Sequence, residues 1–211
     1  IFIHTHFLDI NMLTTEYLYT QYTMPRWSDI SLKLYKEFSV QCLFPKTFRY
    51  HLENDIIIDV EFKEWAMKHL WSIHHIDSRI DKNELFSRND EGLCIEDFSK
   101  TVPMRRRLND NKDRVRMFAC VYQILKTGNM FYVDNGRLDD SNIRIDYIKS
   151  KLINDKGVNL GMRFETGVYV PLTLLIDRAI NPTKTVENLE PVKVKKLEIL
   201  EAKQVIDILS Y

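Results

Sequence analysis

The sequence predicts an α+β fold in which N-terminal helices and a β-hairpin precede an antiparallel sheet of about four strands packed on helices. Three observations support this fold class. Apolar residues recur at helical spacing over residues 28–43, 62–80 and 109–127. A β-branched hairpin pattern lies between the first two helices. Alternating apolar and polar residues, separated by turn residues, run from residue 130 to residue 177.

Composition excludes several classes of protein. The 211 residues include 30 Lys and Arg against 30 Asp and Glu, so bulk charge cannot hold the chain on nucleic acid, although a local basic groove can. No segment approaches the roughly 18 consecutive apolar residues of a bilayer span, so no membrane partner is expected. The 3 cysteines lack CxxC spacing, which favours a thiol-reducing, cytoplasmic compartment over a zinc site.

The first elements are a helix and a hairpin. Residues 28–43 are predicted to form the helix, with Ser28 as its N-terminal cap. Residues 47–52 and 56–62 are predicted to form the two arms of the hairpin, around a polar turn at residues 53–55.

A histidine-rich helix is predicted from residue 62 to residue 80, with one apolar stripe at 100° per residue. His69 lies near the centre of this stripe, His74 lies at its edge, and His75 points to the wetter face. A histidine can exchange a proton with a hydroxyl or a leaving oxygen near neutral pH. The alternative is that His69 is a core histidine bonded to a backbone carbonyl and the other two are surface residues. Metal binding is disfavoured, because helical residues five or six apart point in different directions.

Three strands are predicted over residues 143–153, 158–164 and 168–177 as successive hairpins. Their alternation gives one apolar face and one polar face. The polar face collects these side chains: Arg144, Asp146, Asn159, Arg163, Tyr169 and Thr173. The two arginines, with the threonine and the tyrosine, could hold a phosphate and stabilise its added negative charge; the alternative is an ordinary solvated face. Pro171 cannot donate to a ladder and favours an edge or a bulge for the last strand.

A local basic cluster precedes and overlaps the third predicted helix, which should begin at Asn109 or Asp110. The cluster consists of Arg105, Arg106, Arg107, Arg114 and Arg116. In a chain without net charge, such a cluster is a candidate phosphate-contacting patch. The alternative is a solvated loop and helix start.

Two extensions flank a predicted single domain of residues 27–180. Residues 1–26 form the N-terminal extension and residues 181–211 the C-terminal one. Apolar positions over residues 192–211 predict an amphipathic helix, although the first half of this tail could instead be a strand, and the sequence does not decide between them. Both extensions could be partner-binding arms or packing extensions.

The order of short motifs resembles a nuclease family. The motifs are YKEF at 35–38, FRYHLENDIIIDVEF at 48–62 and HLWSIHH at 69–75. They resemble the phage-associated members of the Barnase–EndoU–colicin–RelE-like group, whose helix carries a His-Leu-Leu-Gly-x-His-Lys signature. A helix opened by Arg114 and the strand motif PLTL at 171–174 are similar to the Arg-started helix and Pro-x-Thr-aromatic strand of that family.

The transfer of roles is made residue by residue. His69 and His74 match the two signature histidines, and Thr173 matches the strand threonine. The sequence departs from the family pattern at Ser72, where the family has Gly, at His75, where it has Lys, and at Leu174, where it has an aromatic residue.

The resemblance implies a metal-independent endoribonuclease without a cofactor, toxin-like, encoded by a phage or prophage, and acting in the cytoplasm of a bacterial host. The RNA 2′-OH would attack its own phosphate, with His69 and His74 as proton carriers and Arg144 or Arg163 on the phosphate. Its partners would be RNA and a cognate inhibitor or host protein. The alternative is a non-catalytic phage protein that serves as a protein-binding scaffold. The nuclease hypothesis requires the imidazole of His69 to face a crevice opposite the arginines of the sheet.

Overall fold

A computed structural model of the protein describes residues 14–81, 85–86, 95–136, 138 and 144–211, and for residues 96, 97 and 135 it describes the backbone. Residues 1–13 of the predicted N-terminal extension, Cys94, and Ile143 of the first predicted strand lie outside the described residues. The described chain contains both helices and strands and has the α+β architecture that the sequence predicts.

The α-helices with defined bounds lie between residues 15 and 127, and most of them are short. The α-helices are α1 (Thr15–Leu18), α2 (Leu32–Phe38), α3 (Met67–Leu70), α4 (Ile73–Ile76), α5 (Val102–Met117) and α6 (Val121–Thr127). Shorter helical turns adjoin them: 3-10 turns at Trp27–Asp29, Glu64–Ala66, Ile95–Ser99, Phe118–Cys120 and Asp134–Gly136, and a π-helical turn at Ser39–Leu43.

Across the described residues runs one sheet of nine strands, curled into a half-barrel, so the prediction of about four strands was wrong. The strands are β1 (Lys46–Leu52), β2 (Ile57–Glu61), β3 (Asn129–Tyr132), β4 (Tyr147–Ile153), β5 (Lys156–Glu165), β6 (Val168–Asp177), β7 (Glu190–Val192), β8 (Val194–Glu201) and β9 (Gln204–Ser210). Their order is β7-β3-β4-β5-β6-β2-β1-β8-β9. The pair β2–β6 is parallel through Val60 and Tyr169, and the other pairs are antiparallel.

The main core brings the helices together with residues from both halves of the sheet. Its members include Phe38 of α2, Leu125 of α6 and Leu160 of β5, all fully buried. Buried tyrosines tie strand and helix together, because Tyr50 donates its hydroxyl to the Leu125 carbonyl at 2.9 Å. The core therefore fixes the positions of the helices that carry the candidate site.

The first helix begins later than the predicted cap at Ser28. Ser31 caps α2 instead, since its hydroxyl accepts a hydrogen bond from the Leu34 amide at 3.0 Å. The third predicted helix begins earlier than Asn109: the Thr101 side chain caps α5, and Pro103 occupies its first turn. The arginines at positions 105–107 therefore lie on an α-helix and not in a loop.

The histidine-rich segment is not the continuous helix that its periodicity predicts. It consists of a 3-10 turn at Glu64–Ala66 followed by α3 and α4, which are separated at Trp71 and Ser72. Ser72 has φ of 60°, a left-handed conformation that interrupts the helix. The apolar stripe is nevertheless buried at Leu70, Ile73 and Ile76.

A bulge changes the predicted faces of β6. The register between β5 and β6 shifts between Gly161 and Met162, opposite Pro171 and Thr173, as the proline suggests. Beyond the bulge Phe164 pairs with Tyr169, and Arg163 pairs with Val170. Directly paired residues share a face, so Tyr169 lies on the opposite face from Arg163, and its predicted place on the polar face was wrong.

The C-terminal tail is a set of strands and not the predicted helix. Leu197 and Ile199 are fully buried and alternate with partly exposed Lys196 and Glu198, which is the burial pattern of a strand. Left-handed residues Ala202 and Lys203 turn β8 into β9. Because β8 pairs with β1, the tail that the sequence places in an extension joins the same sheet as the preceding residues.

Candidate active site

The break between α3 and α4 brings three imidazole rings together. The ring centroids of His69 and His74 are 4.2 Å apart, and those of His74 and His75 are 3.7 Å apart. On a straight helix His74 would lie roughly 140° around the axis from His69, and the two rings would not meet. The left-handed Ser72 interrupts that geometry, and the rings form a continuous row.

Helix α5, which packs against α4, adds a guanidinium to this row. Nη1 of Arg114 lies 2.9 Å from Nε2 of His75. Arginine can only donate, so His75 accepts through an unprotonated Nε2. We call His69, His74, His75 and Arg114 the histidine–arginine cluster. Arg114 was predicted to bind substrate; the structure places it beside the histidines.

His74 is held as a neutral imidazole. Burial of its ring, followed by the nearby His75 and His69, lowers its pKa to about 4. Its Nδ1 lies 3.3 Å from the carbonyl oxygen of Lys68, which can only accept, so Nδ1 carries the proton. This hydrogen bond leaves Nε2 as the basic nitrogen.

His69 and His75 are exposed, and the interpretation of His69 as a core histidine was wrong. Among the described residues, the His69 ring contacts the His74 ring, and the His69 ring nitrogens make no hydrogen bond. Partial desolvation and the charge of Lys68 lower the pKa of His69. Partial desolvation and the charge of Arg114 lower the pKa of His75. The cluster is therefore a partly exposed group of imidazoles whose lowered pKa values favour the neutral form, beside the cation of Arg114.

The sheet arginines occupy a different position. Arg144 and Arg163 line a surface cleft of about 430 Å³ together with Asp146 and Phe164. Arg163 is ion-paired with Glu165. Among the described residues, no hydrogen bond or ion pair joins either arginine to the histidine–arginine cluster. The guanidinium in contact with the histidines is therefore that of Arg114, from a helix, and not that of Arg144 or Arg163, the sheet arginines that were predicted to lie opposite His69.

The remaining candidate residues are dispersed. Thr173 is buried on β6 opposite Gly161, where a Cβ would come within 2.8 Å of the threonine methyl group. Tyr169 is half-buried and belongs to an aromatic group at the other end of β6. The three consecutive arginines are exposed on α5: Arg105, Arg106 and Arg107. They form a basic surface on the helix that also carries Arg114.

Sequence reasoning assigned His75 to a wet surface without a role and missed its contacts with Arg114 and His74. It also missed the buried Lys149, because a lysine in an alternating strand is normally assigned to the solvent face. The sequence did contain an indication that His75 contacts the other histidines. The signature that residues 69–75 were expected to resemble has glycine at the position of Ser72, and glycine often marks a left-handed residue, at which a helix changes direction.

Comparison of this chain with protein-family models, with curated proteins and with solved structures finds no match. The part of the chain that the structure describes holds no group of three or more His, Cys, Asp or Glu side chains arranged to bind a metal ion. No helix among the described residues is long and apolar enough to cross a bilayer. The site is therefore defined by its own geometry: imidazoles in contact with one another and with an arginine.

Proposed function

We propose that the protein is a metal-independent endoribonuclease that cleaves RNA by attack of the 2′-OH on the adjacent phosphate. The observation that carries this proposal is the histidine–arginine cluster, in which accessible imidazoles adjoin a guanidinium. A phosphodiester needs a base for the nucleophile, an acid for the leaving group and a cation for the added charge. The cluster contains all three groups.

His74 takes the role of the base. With a pKa of about 4 it is neutral at pH 7, and its Nε2 is unprotonated. It accepts the proton of the 2′-OH as that oxygen bonds to phosphorus. Arg114 donates to the non-bridging oxygens of the phosphate, and the exposed basic surface of Arg105, Arg106 and Arg107 holds the flanking strand.

His69 takes the role of the acid. It is exposed, and its pKa is lowered by partial desolvation and then by the charge of Lys68. The negative charge of an arriving phosphate counters that of Lys68, so the substrate itself favours protonation of this ring. The protonated ring gives its proton to the 5′-oxygen as the P–O5′ bond breaks. The products are a 2′,3′-cyclic phosphate and a free 5′-hydroxyl. Afterwards His74 loses its proton to water and His69 takes one up from water, which returns both rings to their starting states.

The conformation of Ser72 adds independent support. The family that the motifs resemble has glycine there, and the structure of this chain has φ of 60° at Ser72. A position that is glycine in one sequence and left-handed in the other is consistent with a shared backbone path. The same path brings the two signature histidines into contact.

The test is cleavage of a 5′-labelled RNA in excess chelator. The wild type should leave a 2′,3′-cyclic phosphate, and an RNA with a single 2′-deoxy residue at the cleavage position should be resistant there. His74→Ala should reduce the rate by about 100-fold or more, the range of a lost general base. The matched control is His51→Gln, since His51 pairs with Glu198 on the sheet at 2.9 Å, away from the cluster. A wild-type protein without cleavage, or equal losses in both variants, contradicts the proposal.

The second candidate is a non-catalytic scaffold that binds another protein. Strand β9 favours it, because it lies at the edge of the sheet with Val205, Ile206 and Ile208 about half exposed. A scaffold of this kind would tolerate His74→Ala and lose its partner on substitution of the β9 isoleucines by lysine. The cleavage assay separates the two candidates.

A further inference from the structure

Four aromatic rings form a row across the sheet, distinct from the histidine–arginine cluster. Ring centroids are 5.6 Å apart for Tyr132 and Tyr147, 5.3 Å for Tyr147 and Tyr169, and 5.2 Å for Tyr169 and Phe164. The inner two are buried or half-buried, whereas Tyr132 is 39% and Phe164 55% exposed. The two outer rings are thus presented to solvent by a rigid row.

Both exposed rings line the cleft of about 430 Å³ that also holds Arg144 and Arg163. A volume of this size is in the range that small organic ligands occupy, about 300–1,000 Å³. The combination of aromatic faces and guanidinium groups in one cleft is the chemistry that accepts a base and its phosphate.

The charged side chains of the cleft differ in whether they already have an ion-pair or hydrogen-bond partner. Arg163 pairs with Glu165, and Oδ2 of Asp146 accepts a hydrogen bond from the Phe164 amide at 2.7 Å. Among the described residues, Arg144 has no ion-pair partner, and its side chain is exposed. Arg144 is therefore the group of the cleft best placed to contact a phosphate. Arg163 and Asp146 instead make contacts within the protein at the ends of the strands.

Strand β6 connects this cleft with the segment that carries His69. Val170 and Leu172 pack against Ala66, which lies in the helical turn directly before α3. Tyr169 precedes Val170 on the same strand. Tyr169 points to the other face of β6, so this strand packs the segment that carries His69 on one face and holds a ring of the aromatic row on the other.

We propose that this cleft is a subsite for one nucleotide of single-stranded RNA, with the base stacked on Phe164 or Tyr132 and the phosphate on Arg144. The inference rests on the proposed function, because it extends the same substrate beyond the bond that is cut. Stacking tolerates any base, so the subsite contributes affinity and not sequence specificity. Its contribution should be found with substrates long enough to reach it.

The test measures the dissociation constant of a fluorescein-labelled six-nucleotide RNA by anisotropy, in the His74→Ala background so that the RNA stays intact. Of Phe164→Leu and Tyr132→Leu, the variant that removes the ring on which the base stacks should weaken binding by about 10-fold, because it removes a stacking face and keeps an apolar side chain. Phe164→Trp should retain affinity, and its fluorescence should be quenched when RNA binds. Arg144→Gln should reduce the slope of log K against log salt by about 0.7, the contribution of one phosphate contact on a single strand.

The matched control is Tyr17→Leu, since Tyr17 is an exposed tyrosine of α1 outside the cleft, and its binding should equal that of the background protein. Binding of the Phe164 and Tyr132 variants equal to that of the control overturns the inference, as does a background protein that does not bind the RNA. Cleavage of a diribonucleoside monophosphate by the wild type tests the cluster alone. Cleavage with unchanged six-nucleotide affinity in the variants refutes the subsite and leaves the proposed function standing. Weakened affinity without cleavage refutes the proposed function and leaves the subsite.

Discussion

Lys149 is the side chain whose environment differs most from what its chemistry prefers. It lies on β4 with no exposed surface, and no described residue accepts a hydrogen bond from its Nζ. The rings of Tyr50 and Tyr211 lie near, with centroids 4.9 Å and 5.8 Å from Nζ. Burial and then the charge of Lys151 lower the pKa of Lys149 to about 7. Folding therefore shifts Lys149 toward the neutral amine, which predominates above pH 7.

Replacement of Lys149 by methionine should stabilise the fold at pH 7, by about 1–3 kcal/mol, because an apolar side chain of similar length replaces a poorly solvated amine. Between pH 7 and 10.5 the unfolded lysine holds its proton and the folded one releases it, so the wild type gains stability as pH rises, and loses it as pH falls toward 7. The advantage of Lys149→Met should therefore shrink between pH 7 and pH 10.

Urea denaturation of both proteins across that range checks this prediction, since other titrating groups cancel in the difference between them. Lys33→Met is the control, because that lysine is exposed on α2, away from Lys149. A difference between Lys149→Met and wild type that does not change with pH would show that Lys149 stays charged in the folded state.

At the scale of elements, one residue decides how the histidine-rich segment is arranged. Ser72 takes a left-handed conformation, and its buried hydroxyl has no hydrogen-bond partner among the described residues. Both features destabilise the folded state, since a left-handed non-glycine residue costs about 1 kcal/mol or more and an unpaired buried hydroxyl adds to this. The segment keeps the conformation because Trp71 and Ile73 on either side are buried.

Ser72→Gly should therefore stabilise the protein, by about 1 kcal/mol, and leave the ring row intact. Ser72→Ala is the informative comparison, because it removes the unpaired hydroxyl but keeps the strained backbone. Chemical denaturation should rank the three proteins with glycine above alanine. If glycine is no more stable than alanine, backbone strain at this position is not a significant part of the free energy of unfolding.

At the scale of the whole molecule, the tail completes the sheet on the side of β1. Strand β8 pairs with β1 over residues Lys46 to Leu52, and β9 then forms the edge. The tail supplies buried residues to the core that also holds Phe38 and Leu160. Its contribution to stability is therefore that of a core element.

The effect of a tail substitution on the free energy of unfolding should depend on whether the side chain lies on the buried or the exposed face of the sheet. Leu197→Ala should destabilise the protein by about 2–5 kcal/mol, because Leu197 is fully buried between β1 and β9. Ile208→Ala on the exposed face should change the free energy of unfolding by about 0.5 kcal/mol or less. Thermal or urea denaturation compares the two variants. Similar small effects would mean that β8 does not pack into the core as described.

The sequence predicted elements well where neighbouring residues decide the conformation. The hairpin of β1 and β2 follows from β-branched residues around a polar turn, and β4, β5 and β6 follow from alternation and turn residues. Candidate side chains such as His69, His74 and Arg114 were also identified from residue type and spacing. The contacts between these side chains were not predicted, because the periodicity argument assumes a helix without interruption.

By itself the sequence determined the α+β class, the strands of the hairpin and of the central sheet, and the residues with chemistry to offer. Tertiary structure alone decided that β8 joins β1, that the bulge at Gly161 moves Tyr169 to the other face, and that Ser72 brings the imidazoles together beside Arg114. The physical reason is how far apart in the sequence the interacting residues lie. Turns, caps and alternation arise from residues a few positions apart, whereas strand partners, bulges and ring contacts depend on how segments far apart in sequence pack into one core.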